Sequence, residues 1–169
     1  MLRPGKNAVQ VNVTGNNMLP YTVTWMYRTE KQADDPKAPV KLSAKLNQME
    51  VKEEGTVKLA AVVQNISSKD LGMTVAILGL PAGMSLPEKA GQLKELQAKG
   101  KIASWDLRDR ELVLYWRSLN AGAKVEIELD LLCRLPGFYR GPASRAYVVY
   151  ESERKAWADP LEIRIDAAR

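Results

Sequence analysis

The sequence predicts a mainly β protein: an antiparallel β-sandwich with one inserted α-helix, plus an N-terminal β-hairpin segment. Three observations lead there. Apolar residues recur at every second position along most of the chain, clusters of Gly, Pro, Asn and Asp punctuate those runs, and only residues 87–99 carry helical spacing.

Taken in order, Val9, Val11 and Val13 alternate with polar neighbours, Gly15-Asn16-Asn17 forms a turn signal, and Tyr21, Val23, Trp25 and Tyr27 repeat the alternation. This reads as an antiparallel pair. Residues 29–39 are charged and contain proline, with Asp34-Asp35-Pro36 as a turn, and form the best linker. The chain is therefore expected to divide into residues 1–37 and 38–169. In the second part Val40, Leu42, Ala44 and Leu46 alternate, then Val57, Leu59, Ala61 and Val63. Residues 73–80 are almost continuously apolar, as in a strand covered on both faces. Further strands are predicted at 102–107, 112–116, 125–133, 145–151 and 161–165. Strict period two through Val125, Ile127, Leu129, Leu131 and Cys133 puts Cys133 on the core face, as a buried and inert thiol. In the helical stretch Pro87 suits a first turn, Ala90, Leu93, Leu96 and Gln97 share a face, and Gly100 suits a stop.

Composition narrows the chemistry. The chain of 169 residues can bury a sizeable core, and 25 basic against 20 acidic residues leave a net charge of +5 without a dense basic block. No nucleic-acid partner is expected. Histidine is absent and Cys133 is the single cysteine. Those two facts exclude an internal disulfide, His-based nucleophile activation and multi-thiolate or His-ligated metal sites. No cofactor, metal or catalytic residue is expected, and the chain is read as no enzyme. There is no apolar run of about 18 residues and no apolar signal-peptide core, so no direct membrane insertion is expected.

Three motifs then carry a resemblance: Leu78-Gly79-Leu80-Pro81-Ala82-Gly83-Met84, Leu114-Tyr115-Trp116, and the stretch from Gly141 to Trp157 with Pro142 to Ser144, Tyr147, Tyr150 and Glu151. In order and spacing they resemble the last, receptor-binding macroglobulin domain of the alpha-2-macroglobulin family, a resemblance that covers roughly residues 40 to 165. The resemblance implies a β-sandwich with an inserted helix, and makes residues 1–37 the return strands of a CUB-type β domain with a linker. It implies a noncatalytic domain of a protease-trapping protein, of bacterial type because disulfides are absent. Its partners would be the thioester and macroglobulin domains of one parent polypeptide, and proteases through that parent. Its location would be extracellular or periplasmic within a larger exported protein. The family's thioester motif pairs Cys with Gln in a C-x-E-Q pattern; Leu132-Cys133-Arg134-Leu135 departs from it, so this segment would not trap covalently by that chemistry.

In vertebrate members the domain's helix is recognised by a clearance receptor through lysines, so the resemblance marks Lys89, Lys94 and Lys99 as expected partner-binding residues. Their spacing of five sets Lys89 and Lys94 about 140° apart around a helix, and Glu88 and Glu95 dilute the field. A solvated helix face is the plainer reading. Trp25, Tyr27, Trp105, Trp116 and Trp157 raise a carbohydrate-stacking surface against ordinary packing. The carboxylates Asp34-Asp35, Glu53-Glu54 and those between Asp106 and Glu111 lie in charged turns, where solvated ion pairs are expected. The sequons at Asn12 and Asn65 are read as incidental. A free-standing Ig-like adhesive or carbohydrate-binding module is the alternative function.

Overall fold

The computed structural model describes residues 8, 10–15, 18, 20–22, 24, 32–87 and 91–168. Twelve strands and one α-helix are assigned among them. One sheet runs in the order β1-β3-β8-β5, formed by β1 (Val40–Leu46), β3 (Thr56–Asn65), β8 (Lys124–Cys133) and β5 (Met84–Ser85). A second runs β11-β10-β4-β7-β6, formed by β11 (Ala156–Ala158), β10 (Ser144–Val148), β4 (Thr74–Gly79), β7 (Glu111–Trp116) and β6 (Ser104–Arg108). A small third sheet has β12 (Glu162–Asp166) between β2 (Glu50–Lys52) and β9 (Gly137–Arg140). All pairs are antiparallel except β12 with β2, which is parallel.

Period two decides which side chains face inward. Val57, Leu59, Ala61 and Val63 on β3 meet Ile127, Leu129, Leu131 and Cys133 on β8 in one buried layer, against Ala76, Leu78, Leu112, Leu114 and Trp116 from the second sheet. Ile163 and Ile165 of β12 close the same core. Strand β4 is buried at all six positions, as its unbroken apolar run predicts, because it is central and covered twice. Its outward residues Val75 and Ile77 join Val113 in a smaller cluster under Tyr115, Tyr147 and Val149.

The eight strands predicted between residues 38 and 169 are all present, with β1, β3, β4, β6, β7, β8, β10 and β12 within a few residues of the expected bounds. Strand β10 is the main departure: it stops at Val148, and Val149–Glu151 form a 3-10 turn that points Tyr150 to solvent. The helix α1 (Gly91–Ala98) is shorter than predicted; Pro87 lies outside it, and residues 88–90 are outside the described residues. The N-terminal hairpin is not seen where it can be checked. Val11, Val13 and Tyr21 belong to no strand and are exposed, while Val9, Val23, Trp25 and Tyr27 fall outside the described residues.

Asp34 and Asp35 serve as more than a charged turn. Trp157 donates its backbone N–H to Asp34 Oδ1 at 2.6 Å and Asp35 N–H donates to the Lys155 carbonyl at 2.9 Å, so the linker lies along the outer edge of β11. Asp35 Oδ1 also accepts from Lys37 N–H at 2.7 Å and its carbonyl from Ala38 N–H at 2.9 Å, closing the turn that launches β1.

Candidate functional site

The helix that carries the candidate lysines is held by few contacts. Leu93 is fully buried and Leu96 packs on the core, a burial that contributes about 2 kcal/mol for the leucine. Gln92 then acts as a piece of strand: its Nε2 donates to the Asp130 carbonyl at 3.1 Å and its Oε1 accepts from Asp130 N–H at 2.7 Å. That pair satisfies the edge of β8 beyond the two-residue β5. At the C-terminus Gly100, at φ +69°, lets its own N–H bond the Gln97 carbonyl while Lys101 N–H bonds that of Leu96. This double bond around a left-handed glycine is a Schellman stop. Lys101 continues to the β8 edge, its Nζ 3.5 Å from the Glu126 carbonyl.

Of the expected partner-binding residues, Lys94 is exposed and Lys99 pairs with Glu95 at 3.4 Å one turn away. Lys89 lies outside the described residues. Gln97, expected inward, is exposed and donates instead to the Ala103 carbonyl at 3.1 Å.

Two of the three motifs that carry the resemblance, Leu78 to Met84 and the stretch from Gly141, meet in space. Gly79 ends β4 where a Cβ would strike the carbonyl of Pro142, and its N–H donates to the buried Ser144 Oγ at 3.0 Å. At Gly141 the fit is tight but less severe, with a Cβ falling 3.0 and 3.1 Å from the backbone of Leu80 and Pro81. Gly83 leaves room for the ring of Tyr139 on β9, which would collide with any Cβ there. Thus the Leu-Gly-Leu-Pro-Ala-Gly and Gly-Pro-Ala-Ser segments are small because two backbones cross.

Beside this crossing, Arg145 and Glu111 form a bidentate pair at 2.7 and 3.2 Å, with 24% and 29% of their side chains exposed. The hydrogen bond from Arg145 holds the Glu111 carboxyl below the ordinary glutamate value, helped by the charges of Arg145 and Arg108 and opposed by partial burial. A depressed folded value means that the pair's contribution is complete above glutamate's ordinary range near about 4.3 and is lost as pH falls through the lower folded value. Urea unfolding of Glu111→Gln is therefore expected to show a deficit of about 1 kcal/mol at neutral pH that shrinks in acid. A deficit independent of pH would contradict this.

The remaining candidates resolve one by one. Cys133 is fully buried and burial pushes its thiol up, so a thiol reagent is expected to label it only on unfolding. Labelling of the native protein at the rate of a free thiol would contradict that burial. Trp116 is buried with its Nε1 donating to the Lys101 carbonyl at 2.7 Å, Trp105 packs on the core, and Trp157 is half-buried beside the linker. Trp25 and Tyr27 are outside the described residues. The carboxylates are mostly paired on the surface: Glu54 with Arg134 at 3.5 Å and Asp106 with Arg108 at 2.6 Å. They do not converge on one another. Among the described residues no group of His, Cys, Asp and Glu is placed to hold a metal ion, and no helix is long and apolar enough to cross a membrane.

Asn65 is the residue whose importance the sequence conceals. It is completely buried; Nδ2 donates to the carbonyls of Lys69, Leu119 and Asn120 at 2.8–3.0 Å, and Oδ1 accepts from the N–H and Oγ of Ser67 at 2.9 and 2.7 Å. Read as a sequon, it is inaccessible in the folded protein. It is an interior clamp between the loops that follow β3 and precede β8.

No protein-family model and no curated protein sequence matches the chain. Solved structures do. Salmonella alpha-2-macroglobulin reacted with methylamine superposes on 80% of this chain at a TM-score of 0.60 and 14% identity, and trypsin-activated alpha-2-macroglobulin from Escherichia coli on 79% at 0.62 and 14%. Native Escherichia coli alpha-2-macroglobulin spanning domain MG7 to the C-terminus matches 79% at 0.61 and 14%. The chain covers 10% of each of the first two and 25% of the third. The fold of this chain is therefore similar to that of a stretch of the bacterial alpha-2-macroglobulins between MG7 and the C-terminus.

Proposed function

We propose that this chain is a noncatalytic C-terminal domain of an alpha-2-macroglobulin-like, protease-trapping protein. The observation that carries the reading is the superposition of about four-fifths of the chain on bacterial alpha-2-macroglobulins. The crossing of Gly79 with Pro142 supports it, because the segments that resemble the family's last domain are those that pack together here.

On this reading residues 38–169 form the macroglobulin sandwich and residues 1–37 finish a CUB-type β domain and link the two. The sandwich works as a rigid body that packs on neighbouring macroglobulin and thioester domains and rotates when the parent rearranges on cleavage. Its parent is an exported protein, extracellular or periplasmic, and meets proteases on behalf of the domain. Recognition of a further partner would use the helix, through Lys89, Lys94 and Lys99. Unchanged partner binding by Lys94→Ala/Lys99→Ala would remove the helix from that role.

The linker geometry sharpens the domain boundary into a prediction. Deleting residues 1–31 is expected to leave one cooperative melting transition, whereas deleting 1–37 also removes the bonds of Asp34 and Asp35 to β11 and lowers the midpoint by several degrees. Loss of cooperative melting in the shorter deletion would contradict an independent sandwich. The test of the reading itself is the coding sequence upstream of Met1. A frame that continues into a helical domain with a Cys-x-Glu-Gln motif supports it; a stop codon in frame immediately upstream would overturn it.

A further inference from the structure

The sheet edges of this sandwich are treated unequally. Along β8 the outward groups at Asp130 are taken by Gln92, the Glu126 carbonyl by Lys101, and Cys133 and Leu132 by β5. The edge of β11 is bonded by Asp34 and Asp35. On β6 the edge is short and carries the Asp106–Arg108 ion pair. Among the described residues, strand β1 has no such cover.

Its register shows which groups are open. Ile66 N–H donates to the Pro39 carbonyl and Asn47 N–H to that of Lys58, so the odd-numbered residues of β1 exchange bonds with β3. By alternation, the N–H and C=O of Leu42 and Ala44 point away from β3. They border an open groove of about 710 Å³ whose other wall is Trp157, Ala158 and the linker from Gln32 to Asp34. No hydrogen bond between these outward groups and another described residue closes that gap.

Side chains on the two faces of β1 differ in kind. Leu42 and Ala44 face the core side and the groove, while Lys41, Ser43 and Lys45 stand on the outer face. Opposite them on β3 are Gln64, Val62 and Ala60, all uncharged. Among the described residues neither lysine is ion-paired, unlike Lys58 in the same sheet, which lies 3.3 Å from Asp130. Like charges opposite each other destabilise strand pairs and opposite charges stabilise them. The carboxylate of Asp34 on the β11 side disfavours acidic side chains pointing into the groove.

We propose that the free edge of β1 is a strand-addition site, taking an extended segment whose outward side chains are acidic and whose inward side chains are apolar. Such a segment bonds its backbone to Leu42 and Ala44, sets its carboxylates beside Lys41 and Lys45, and lays its apolar side chains toward Leu42, Ala44 and Trp157. Main-chain bonds supply affinity and the alternation supplies selectivity.

The probe is a short capped peptide alternating glutamate and valine, added to the full chain while amide exchange is followed residue by residue. Exchange at Leu42 and Ala44 is expected to slow by about tenfold at saturation. Ala44→Pro, whose lost N–H belongs to no ladder bond, is expected to abolish that protection with the melting midpoint nearly kept. Lys41→Glu/Lys45→Glu is expected to lose the glutamate peptide and to gain one alternating lysine and valine. Protection confined to β6 or β8, no protection at millimolar peptide, or equal binding by the melting-competent variants would each overturn the proposal.

Discussion

Asn65→Ala is expected to lower the free energy of unfolding by about 3 kcal/mol, the largest loss from any single polar side chain here. The alanine removes the two N–H donors that the Asn65 amide shares among the carbonyls of Lys69, Leu119 and Asn120, and the oxygen that accepts two bonds from Ser67, all within an end of the sandwich where Asn65 is inaccessible to water. The loss is moderated because the Leu119 carbonyl keeps Leu71 N–H and that of Asn120 keeps Ala123 N–H. Asn65→Asp separates geometry from packing. It keeps the shape but turns an acceptor oxygen toward three carbonyls, so it should be at least as destabilised at neutral pH and partly recover in acid as the carboxyl takes a proton. Urea denaturation of the two variants checks both statements; a loss below about 1 kcal/mol in Asn65→Ala would show that water replaces the clamp.

Gly79→Ala is expected to cost about 3 kcal/mol or more. The added methyl meets the backbone carbonyl of Pro142, which cannot swing aside as a flexible side chain does, so β4 and the segment before β10 must separate. Separation also strains the bond from Gly79 N–H to Ser144 Oγ and the β4–β10 ladder that follows. Gly72→Ala is the control: nothing lies within 4 Å of its Cβ, and a change within about 0.5 kcal/mol is expected. Equal melting of the two variants would mean that the crossing is looser than described.

The strands were legible where burial is periodic over five or more residues. Strand β8 shows period two from Val125 to Cys133 because one face meets the core, and β4 reads as continuous because both do. Strands β2, β5, β9 and β11 have two to four residues each, too few for a period to register, and are fixed by partners distant in sequence. Tyr150 misled for a local reason: it continues the period of two set by Ala146 and Val148, but the chain turns at Val149, just beyond the Thr74 end of β4, with Val149 N–H bonded to the Met73 carbonyl.

The candidate site was legible in parts of unequal value. Helical spacing around Leu93 and the stop at Gly100 located α1, yet nothing local signals that Gln92 closes a sheet edge 38 residues away. Asp34 likewise reads as a solvated turn residue until Trp157 is seen to donate to it across 123 positions. Asn65 carries a misleading local signal, since Asn-Ile-Ser also spells a sequon; what distinguishes it is the pair of loops that converge on its amide. Composition did well with Cys133, whose place in the β8 alternation already implies burial.

Membership of a protease trap, as proposed above, is tested most directly by a protease challenge of the native polypeptide isolated with a tag at its C-terminus. After incubation with trypsin and gel filtration, protease activity on a small peptide substrate should co-elute with a polypeptide several times larger than this chain. A tagged species of this chain's size that leaves all the protease in its own fraction would contradict the account.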